Sequence, residues 1–218
     1  MVEWRALADE LAAFMLSGSC AGCDVPGTLL CEDCRGGLGA RLVRTTTPEG
    51  MPVVAAFAFE GVAARCIRRV KEDGETLLAR PLGMALADAT GPLRAEHPGA
   101  LLAPVPTGST AFRRRGYRVP ELLMRRAGLA PSRVLVQTRR TADQRELDLD
   151  ERRRNVAGSM RARHARGARD AILFDDVVTT GATLDEGARA LAAAGFRVRG
   201  AVALAATPRH RELSANTS

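Results

Sequence analysis

The chain has 218 residues, of which 46% are hydrophobic and 4% aromatic. This hydrophobic fraction excludes global disorder and predicts a core built mainly of Ala, Val and Leu. The 32 Lys and Arg residues against 25 Asp and Glu residues give a net charge of +7, which favours polyanionic or phosphorylated ligands; an Arg-rich proteome with solvated arginines would give the same balance. No apolar run approaches the roughly 20 residues that span a bilayer, and the N-terminal residues do not form a signal-peptide pattern. We therefore expect a cytoplasmic protein.

The N-terminal part divides into a helical stretch and a cysteine-rich stretch. Residues 3–16 carry apolar side chains at helical spacing, which predicts a helix packed on the main body. Residues 17–39 are rich in glycine and contain too few apolar residues to fold without a bound metal or a cross-link. They hold two CxxC pairs that are separated by seven residues, namely Cys20, Cys23, Cys31 and Cys34. Four thiolates at this spacing suit a closed structural Zn²⁺ site. Free or redox-active cysteines, or an iron–sulfur cluster, would use the same residues.

From residue 51 onward, short apolar runs alternate with helical periodicity. Strand-like runs lie at 53–59, 101–105, 133–136, 171–174 and 198–206, and helical stretches lie at 62–70, 76–89, 119–128 and 182–194. Strands that alternate with helices need crossover connections, which predicts an α/β fold with a mainly parallel sheet flanked by helices. We divide the chain into an N-terminal helix and zinc module (1–45), a main domain (46–207) and a flexible tail (208–218).

An acidic pair and a threonine-rich turn follow the apolar run at 171–174. Asp175 and Asp176 precede, by two valines, the run Thr179-Thr180-Gly181-Ala182-Thr183, and a helical pattern begins at once. Open α/β sheets bind ligands at the carboxyl ends of their parallel strands. Paired carboxylates suit the hydroxyl groups of ribose, while hydroxyls and N–H groups at a helix N-terminus suit a phosphate. An ordinary N-cap needs only one such residue, so we interpret residues 172–183 as a binding site for ribose 5-phosphate.

Two arginine-rich segments flank the strand-like run at 133–136. The first is Arg113-Arg114-Arg115-Gly116-Tyr117-Arg118, and the second, at 139–154, mixes arginines with acidic residues. The guanidinium groups at 113–115 match the geometry of diphosphate oxygens, and residues 108–118 are a candidate for a mobile loop that closes over a ligand. The same arginines, with Tyr117 as a stacking platform, would suit single-stranded DNA. A solvated charged face is the third interpretation, which the acidic residues favour for the second segment.

Together these motifs resemble a known family. Residues 172–183 are similar to the motif of type I phosphoribosyltransferases that binds phosphoribosyl diphosphate (PRPP). With the paired cysteines, Ala103-Pro104-Val105-Pro106, Arg113-Arg114-Arg115-Gly116-Tyr117 and Arg152-Arg153-Arg154-Asn155-Val156-Ala157-Gly158 resemble the ComF family of competence-associated proteins. The resemblance covers most of residues 4–206. It implies a type I phosphoribosyltransferase-like fold and a role in DNA uptake during natural transformation, with single-stranded DNA and DNA-processing proteins as partners.

The resemblance also implies roles for individual residues. Asp175 and Asp176 would contact the ribose of PRPP. The 5-phosphate would be bound by Thr179, Thr180, Gly181, Ala182 and Thr183. Lys71 and Gly74 would lie in the family's diphosphate-binding loop. Independently of the resemblance, the guanidinium groups of Arg113, Arg114 and Arg115 would also bind the diphosphate, and a diphosphate beside paired carboxylates favours a Mg²⁺ ion. The activity would be that of a phosphoribosyltransferase whose acceptor base the sequence does not identify. The alternative is a non-catalytic module that binds single-stranded DNA or protein and keeps the PRPP site as a sensor or relic.

Two positions depart from the family pattern. Arg118-Val119-Pro120 stands where the family commonly has Asn-Gln after the Arg-Gly-aromatic element. Thr179 stands where purine-handling relatives commonly have an Asp that assists acid–base chemistry. A threonine hydroxyl is not a general base near neutral pH, so purine salvage by that route is disfavoured. Cys66 lies in an apolar helical pattern and is interpreted as a small core residue, and the three histidines are given no role.

Overall fold

The computed structural model describes residues 18–138, 156–164 and 169–208. The predicted helix at 3–16, the charged stretch at 139–154 and the tail from residue 209 lie outside these ranges. The strands within them are β1 (Val43–Thr46), β2 (Pro52–Ala58), β3 (Leu101–Pro104), β4 (Leu135–Gln137), β5 (Met160–Ala162), β6 (Arg169–Val178) and β7 (Phe196–Ala206).

Helices connect most of these strands. The α-helices in the described ranges are α1 (Glu32–Gly36), α2 (Gly61–Arg68), α3 (Ala79–Glu96), α4 (Ser109–Arg115), α5 (Val119–Arg126) and α6 (Ala182–Ala193). A π-helical turn, Arg69–Asp73, continues α2, and a 3₁₀ turn, Thr76–Leu78, leads into α3. Within the described ranges, no helix combines the length and the apolar character that crossing a membrane requires.

The main sheet has five strands in the order β1-β2-β7-β6-β3. Strands β2, β7, β6 and β3 run parallel to their neighbours, and β1 is antiparallel to β2. The register places Pro104 of β3 beside Phe174 of β6, and Asp175 beside Ala203 of β7. A mainly parallel sheet flanked by helices, with a small N-terminal four-cysteine module, is the architecture that the sequence predicted, and it is confirmed.

Both faces of the main sheet are buried. One face, with Ile172 and Leu204, belongs to a core shared with α2, α3 and α5, and the other, with Leu173, belongs to a core shared with α6. Parallel strands covered on both faces are continuous apolar runs rather than alternating ones, as the run at 171–174 shows. Among the described residues the core consists largely of Ala, Val and Leu, as the composition predicted.

Strands β4 and β5 form a separate antiparallel pair. Glu186 of α6 is only 5% exposed and joins this small sheet to the main body. Its Oε1 accepts a hydrogen bond from the N–H of Met160 at 2.9 Å, and its Oε2 lies 2.7 Å from Nε of Arg189. A carboxylate buried with two such partners is stabilised, so α6 and the small sheet are firmly connected.

Two elements near the predicted site differ from the sequence prediction. Residues 109–115 form α4, where a loop was expected. The helix spans fewer than two turns and lacks an apolar repeat, so periodicity could not reveal it. Strand β6 continues past the apolar run to Val178, so both aspartates belong to the strand itself.

Candidate functional site

The acidic pair lies in the carboxyl-terminal part of β6. Asp175 and Asp176 are both partly buried. The N–H of Asp176 donates to Oδ1 of Asp175 at 2.8 Å, and the N–H of Val177 donates to Oδ1 of Asp176 at 2.8 Å. The backbone therefore orients both carboxylates and leaves their Oδ2 atoms for other partners.

The two carboxylates differ in their electrostatic environment. Burial raises the pKa of Asp175 to about 8, and the charge of Asp176 acts in the same direction. Nζ of Lys71 lies 2.9 Å from Oδ2 of Asp176. Adjacent carboxylates resist ionising together, so near neutral pH Asp175 keeps its proton while Lys71 balances the charge of Asp176. The pair can then both donate and accept hydrogen bonds, which suits adjacent hydroxyl groups on a sugar.

Lys71 reaches the acidic pair from the π-helical turn Arg69–Asp73. Gly74 ends this turn with a φ of 79°, a backbone conformation that favours glycine. Turns of this type are rare and occur frequently at functional sites. The turn brings into contact two segments, at Lys71 and at Asp176, that are far apart in the sequence.

The first arginine-rich segment holds this turn in place. Nε of Arg115 donates to the carbonyl oxygen of Lys71 at 2.5 Å, and the hydroxyl of Tyr117 donates to the carbonyl oxygen of Val70. Burial raises the pKa of Tyr117, which keeps its hydroxyl protonated and able to donate. Arg115 and Tyr117 therefore support the backbone that carries Lys71.

The other two arginines of the predicted diphosphate site have a different environment. Arg113 and Arg114 are exposed on α4. The structure thus separates the three neighbouring arginines into one that contacts the Lys71 turn and two that face solvent. Their contacts with a diphosphate remain predictions.

The threonine-rich loop links β6 to α6. Oγ1 of Thr180 accepts a hydrogen bond from the N–H of Ala182 at 3.3 Å, and Thr179 is exposed. Gly181 has a φ of 85°, and a Cβ at this position would lie 3.1 Å from Cα of Thr47 and from Cδ of Pro48. Both the backbone conformation and the available space therefore require glycine. The loop ends at the N-terminus of a 12-residue helix, where N–H groups favour an anion.

The four paired cysteines meet in the N-terminal module. The Sγ atoms of Cys20, Cys23, Cys31 and Cys34 all lie within 4.8 Å of one another. The N–H groups of Gly22 and Cys31 each donate to Sγ of Cys20 at 3.3 Å. Burial opposes ionisation of Cys20, but backbone N–H groups, first that of Cys31, outweigh it and lower the pKa to about 6. Clustered thiols with N–H···S bonds fit a tetrahedral Zn²⁺ site, in which four thiolates leave no position for chemistry.

The cysteine module packs against α2 and the Lys71 turn. Nη2 of Arg69 lies 2.6 Å from Oδ1 of Asp24, and Nη1 of Arg69 lies 2.9 Å from Oε1 of Glu75. A Cβ at Gly22 would lie 2.5 Å from Sγ of Cys34 and 3.0 Å from Cγ1 of Val62 in α2. The module and the turn are therefore closely fitted, and Arg69 connects them directly.

One polar cluster near the site was not predicted. Glu121 of α5 is 7% exposed, and its Oε2 lies 2.5 Å from Nη2 of Arg133. The signal in the sequence is an acidic residue within the apolar pattern at 119–128. Its partner follows α5 on a separate segment, so only the folded chain brings the two together.

The fold and the cysteine cluster define an α/β protein with a mainly parallel sheet and a four-thiol module. No protein-family model and no curated protein matches the chain. Among solved structures it is similar to UMP synthase of Leishmania donovani, with 14% identity and a TM-score of 0.38 over 80% of this chain; the match spans only 31% of that protein. It is also similar to TT1426 from Thermus thermophilus, with 19% identity and a TM-score of 0.33 over 61% of this chain and 84% of that one.

Proposed function

We propose that this chain binds PRPP at the carboxyl edge of its main sheet and is a phosphoribosyltransferase-like protein of the ComF type. The observation that carries the proposal is the 2.9 Å contact between Nζ of Lys71 and Oδ2 of Asp176. It joins the segment expected to bind diphosphate to the segment expected to bind ribose. In PRPP these two groups are bonded to each other, so their binding residues must lie side by side.

Each part of PRPP has a matching group in this site. The carboxyl groups of Asp175 and Asp176 would bind the two ribose hydroxyls. Protonated Asp175 would both donate and accept hydrogen bonds, whereas Asp176 would only accept them. The N-terminus of α6, with Gly181 allowing close approach, would bind the 5-phosphate through N–H groups and the helix dipole. Lys71 would turn from Asp176 towards the diphosphate. Arg113 and Arg114 would assist, because they precede Arg115 on the same helix and Arg115 contacts the Lys71 turn.

Asp176, once Lys71 has turned towards the diphosphate, would also hold a Mg²⁺ ion that enters with PRPP, because Mg²⁺ favours one or two carboxylates together with phosphate oxygens and water. When bound, the ion would neutralise negative charge on the diphosphate. Lys71 would remain the protein's own cation for the leaving group.

The reaction would be transfer of the phosphoribosyl group to a nitrogen acceptor. The bond between ribose C1 and the diphosphate oxygen breaks, and diphosphate leaves with the electron pair. A nitrogen of the acceptor bonds to C1 and releases its proton to solvent. Because Thr179 is no general base near neutral pH, the chain would act by positioning and charge neutralisation.

Calorimetric titration of the full chain with PRPP in the presence of Mg²⁺ tests this proposal. We expect saturable binding that is lost in the double variant Asp175→Ala/Asp176→Ala and weakened about tenfold in Lys71→Gln, since a charge-assisted contact contributes about 1.5–3 kcal/mol. Asp170→Asn, at the other end of β6, is the matched control and should bind normally. Absence of binding, or equal binding by the double variant, would contradict the proposal.

Single-stranded DNA binding, as in DNA uptake during transformation, is a second candidate function. Arg113 and Arg114 favour it because both are exposed on α4, and the net charge of +7 agrees with it. Tyr117 is less suited to stacking than the sequence suggested, since its hydroxyl is bound to Val70. The logarithm of the association constant for single-stranded DNA should fall linearly with the logarithm of salt concentration. The slope should be smaller in the variant Arg113→Gln/Arg114→Gln. A salt-independent affinity would exclude this function.

A further inference from the structure

Arg69 is the first residue of the turn that carries Lys71, and its side chain contacts the cysteine module. Its Nη2 lies 2.6 Å from Oδ1 of Asp24 and donates to Oγ of Ser19 at 3.4 Å, and both of these residues belong to the module. Its Nη1 donates to Oε1 of Glu75 at 2.9 Å, in the segment that leaves the turn. One guanidinium group therefore holds the beginning and the end of the turn against the module.

Asp24 belongs to the tight turn that brings Cys20 and Cys23 together. Its N–H donates to the carbonyl oxygen of Cys20 at 2.9 Å, and the N–H of Cys20 donates to the carbonyl oxygen of Val25 at 2.7 Å. Asp24 has a φ of 63°, a left-handed conformation in which Asp and Asn are enriched. Because Cys20 and Cys23 are two of the four clustered cysteines, the geometry of this pair also sets the position of the Asp24 carboxylate.

The backbone of Arg69 closes the turn that carries Lys71. Its carbonyl oxygen accepts hydrogen bonds from the N–H of Gly74 and, at 3.3 Å, from the N–H of Glu75. Nζ of Lys71 in turn lies 2.9 Å from Oδ2 of Asp176. A shift of Arg69 would therefore move the backbone that presents Lys71 to the candidate ligand site.

Apolar packing supports the same connection. Cys20, Leu30 and Cys34 of the module share one buried core with Ile67 of α2 and Val70 of the turn. Packed side chains and ion pairs are the physical contacts through which separate sites become coupled. The module and the Lys71 turn are thus joined by a common core and, nearer the surface, by an ion pair.

The exposure of this ion pair determines which property it can influence. The side chain of Asp24 is 67% exposed, and that of Arg69 is 22% exposed. Exposed ion pairs contribute little to the free energy of unfolding, so the common core maintains the fold without it. The pair can still bias the position of the turn, because it connects the turn directly to the residue that follows Cys23.

We propose that metal binding at the four-cysteine cluster and PRPP binding at the Lys71 turn stabilise each other, with Arg69 and Asp24 as the coupling pair. Metal binding fixes Asp24, and the diphosphate fixes Lys71, so each ligand restricts a segment that Arg69 connects to the other. Coupling between two sites is reciprocal, so zinc must be bound more tightly when PRPP is present. The inference rests on the proposed function, and Arg69 acts in it as a positioning residue.

Zinc affinity, measured on the full chain by competition with a chromogenic chelator, tests the coupling. PRPP and ribose 5-phosphate are each added at about 100 times their own dissociation constant and at constant Mg²⁺, so that any general stabilisation of the folded chain is equal. PRPP should raise zinc affinity about threefold more than ribose 5-phosphate does, which is within the range of a single exposed ion pair. A purely structural role of the module would give the same effect for both ligands.

Two acidic residues beside clustered cysteines provide a matched pair of variants. Asp24→Asn follows Cys23, keeps a residue type that tolerates the left-handed conformation and removes the charge that pairs with Arg69. Asp33→Asn makes the same charge change beside Cys34, at an exposed position of α1. The excess effect of PRPP should vanish in Asp24→Asn and persist in Asp33→Asn. Both zinc-loaded variants should unfold at similar temperatures.

Arg69→Lys tests the coupling from the other side. Lysine keeps the positive charge but has one nitrogen, so it cannot contact Asp24 and Glu75 with separate nitrogens as the guanidinium group does. The excess effect of PRPP on zinc affinity should therefore also decrease in Arg69→Lys.

The outcomes separate this proposal from the previous one. Equal effects of PRPP and ribose 5-phosphate, or the same excess in Asp24→Asn as in Asp33→Asn, would overturn the coupling. In either case, calorimetric binding of PRPP would leave the proposed function standing. Absence of PRPP binding to the zinc-loaded chain would contradict both proposals, and absence of zinc binding would overturn the coupling alone.

Discussion

The two halves of the candidate PRPP site are constructed in different ways. The phosphate half is one continuous segment, residues 179–183, leading directly into α6. The diphosphate half, the Lys71 turn, is held by Arg115 and Tyr117 and is connected through Arg69 to Asp24 of the cysteine module. A continuous segment depends on its own residue order, whereas an assembled one depends on tertiary contacts. Distant changes should therefore damage the diphosphate half first.

Ribose 5-phosphate and PRPP distinguish the two halves experimentally. Ribose 5-phosphate lacks the diphosphate and, under the proposed function, would report on the acidic pair and the threonine-rich loop alone. PRPP would report on both halves. The two affinities, measured side by side, therefore locate the effect of a substitution in one half or the other.

The largest effect is expected from loss of one of the four clustered cysteines. Cys34→Ser removes one of four thiolates and should lower zinc content and reduce the free energy of unfolding by more than about 4 kcal/mol. PRPP affinity should fall more than ribose 5-phosphate affinity, since the module supports the Lys71 turn. Cys66→Ala is the control: Cys66 is buried in α2 outside the cluster, so zinc content should stay unchanged. A Cys34→Ser chain with full zinc content would refute the ligand assignment.

A pH dependence of stability should come from Asp175. Its pKa in the folded chain is raised to about 8, so between about pH 4 and 8 the unfolded chain ionises Asp175 while the folded chain keeps it protonated, and the free energy of unfolding falls as pH rises. Urea unfolding should show that the unmodified chain loses a few kcal/mol relative to Asp175→Asn as pH rises from about 5 to 9, at about 1.4 kcal/mol per unit of pKa. Parallel stability curves for the two chains would disprove the raised pKa.

Asp170 provides the control of opposite sign. Hydrogen bonds from Arg199 and Arg197 lower its pKa, so its stabilising contribution is present above the ordinary aspartate pKa and is lost only at lower pH. Asp170→Asn should therefore shift stability by a constant amount between about pH 5 and 9.

The phosphate half should be most sensitive at Gly181. Gly181→Ala introduces a Cβ at positive φ and 3.1 Å from two atoms of the turn at 47–48, which should cost about 1–3 kcal/mol of stability. Affinities for ribose 5-phosphate and PRPP should fall together. Gly91→Ala in α3 meets no atom within 4 Å and should be neutral or slightly stabilising. If both variants behave alike, the close approach at Gly181 has no consequence for the loop.

The smallest effect is expected at Tyr117. Tyr117→Phe removes the hydrogen bond to Val70, which should contribute about 1 kcal/mol to holding the Lys71 turn in its binding conformation. If the variant's turn loosens only in the free protein, PRPP affinity should fall about fivefold. PRPP affinity should decrease, and ribose 5-phosphate affinity should not. Equal losses for both ligands would show that Tyr117 supports the whole site and not the Lys71 turn.

The same contrast explains what the sequence could predict. The acidic pair with its threonine-rich loop and the paired cysteines lie in short segments, so their composition alone indicated a site. The alternation of strands and helices likewise predicted the parallel sheet. Two contacts could not be predicted, namely the hydrogen bond from Arg115 to the backbone of Lys71 and the ion pair of Glu121 with Arg133. Each joins segments that meet only after folding, so no local sequence pattern indicates it.

The π-helical turn at Arg69–Asp73 makes residue count as important as residue type. Such a turn holds one residue more than the α-helical turn it replaces. Deleting one residue ahead of Lys71 would restore ordinary helical winding and rotate the lysine by about 100° around the helix axis, away from Asp176. A variant of this chain could therefore keep every residue of the site and still move Lys71 away from Asp176 through the deletion of a single residue.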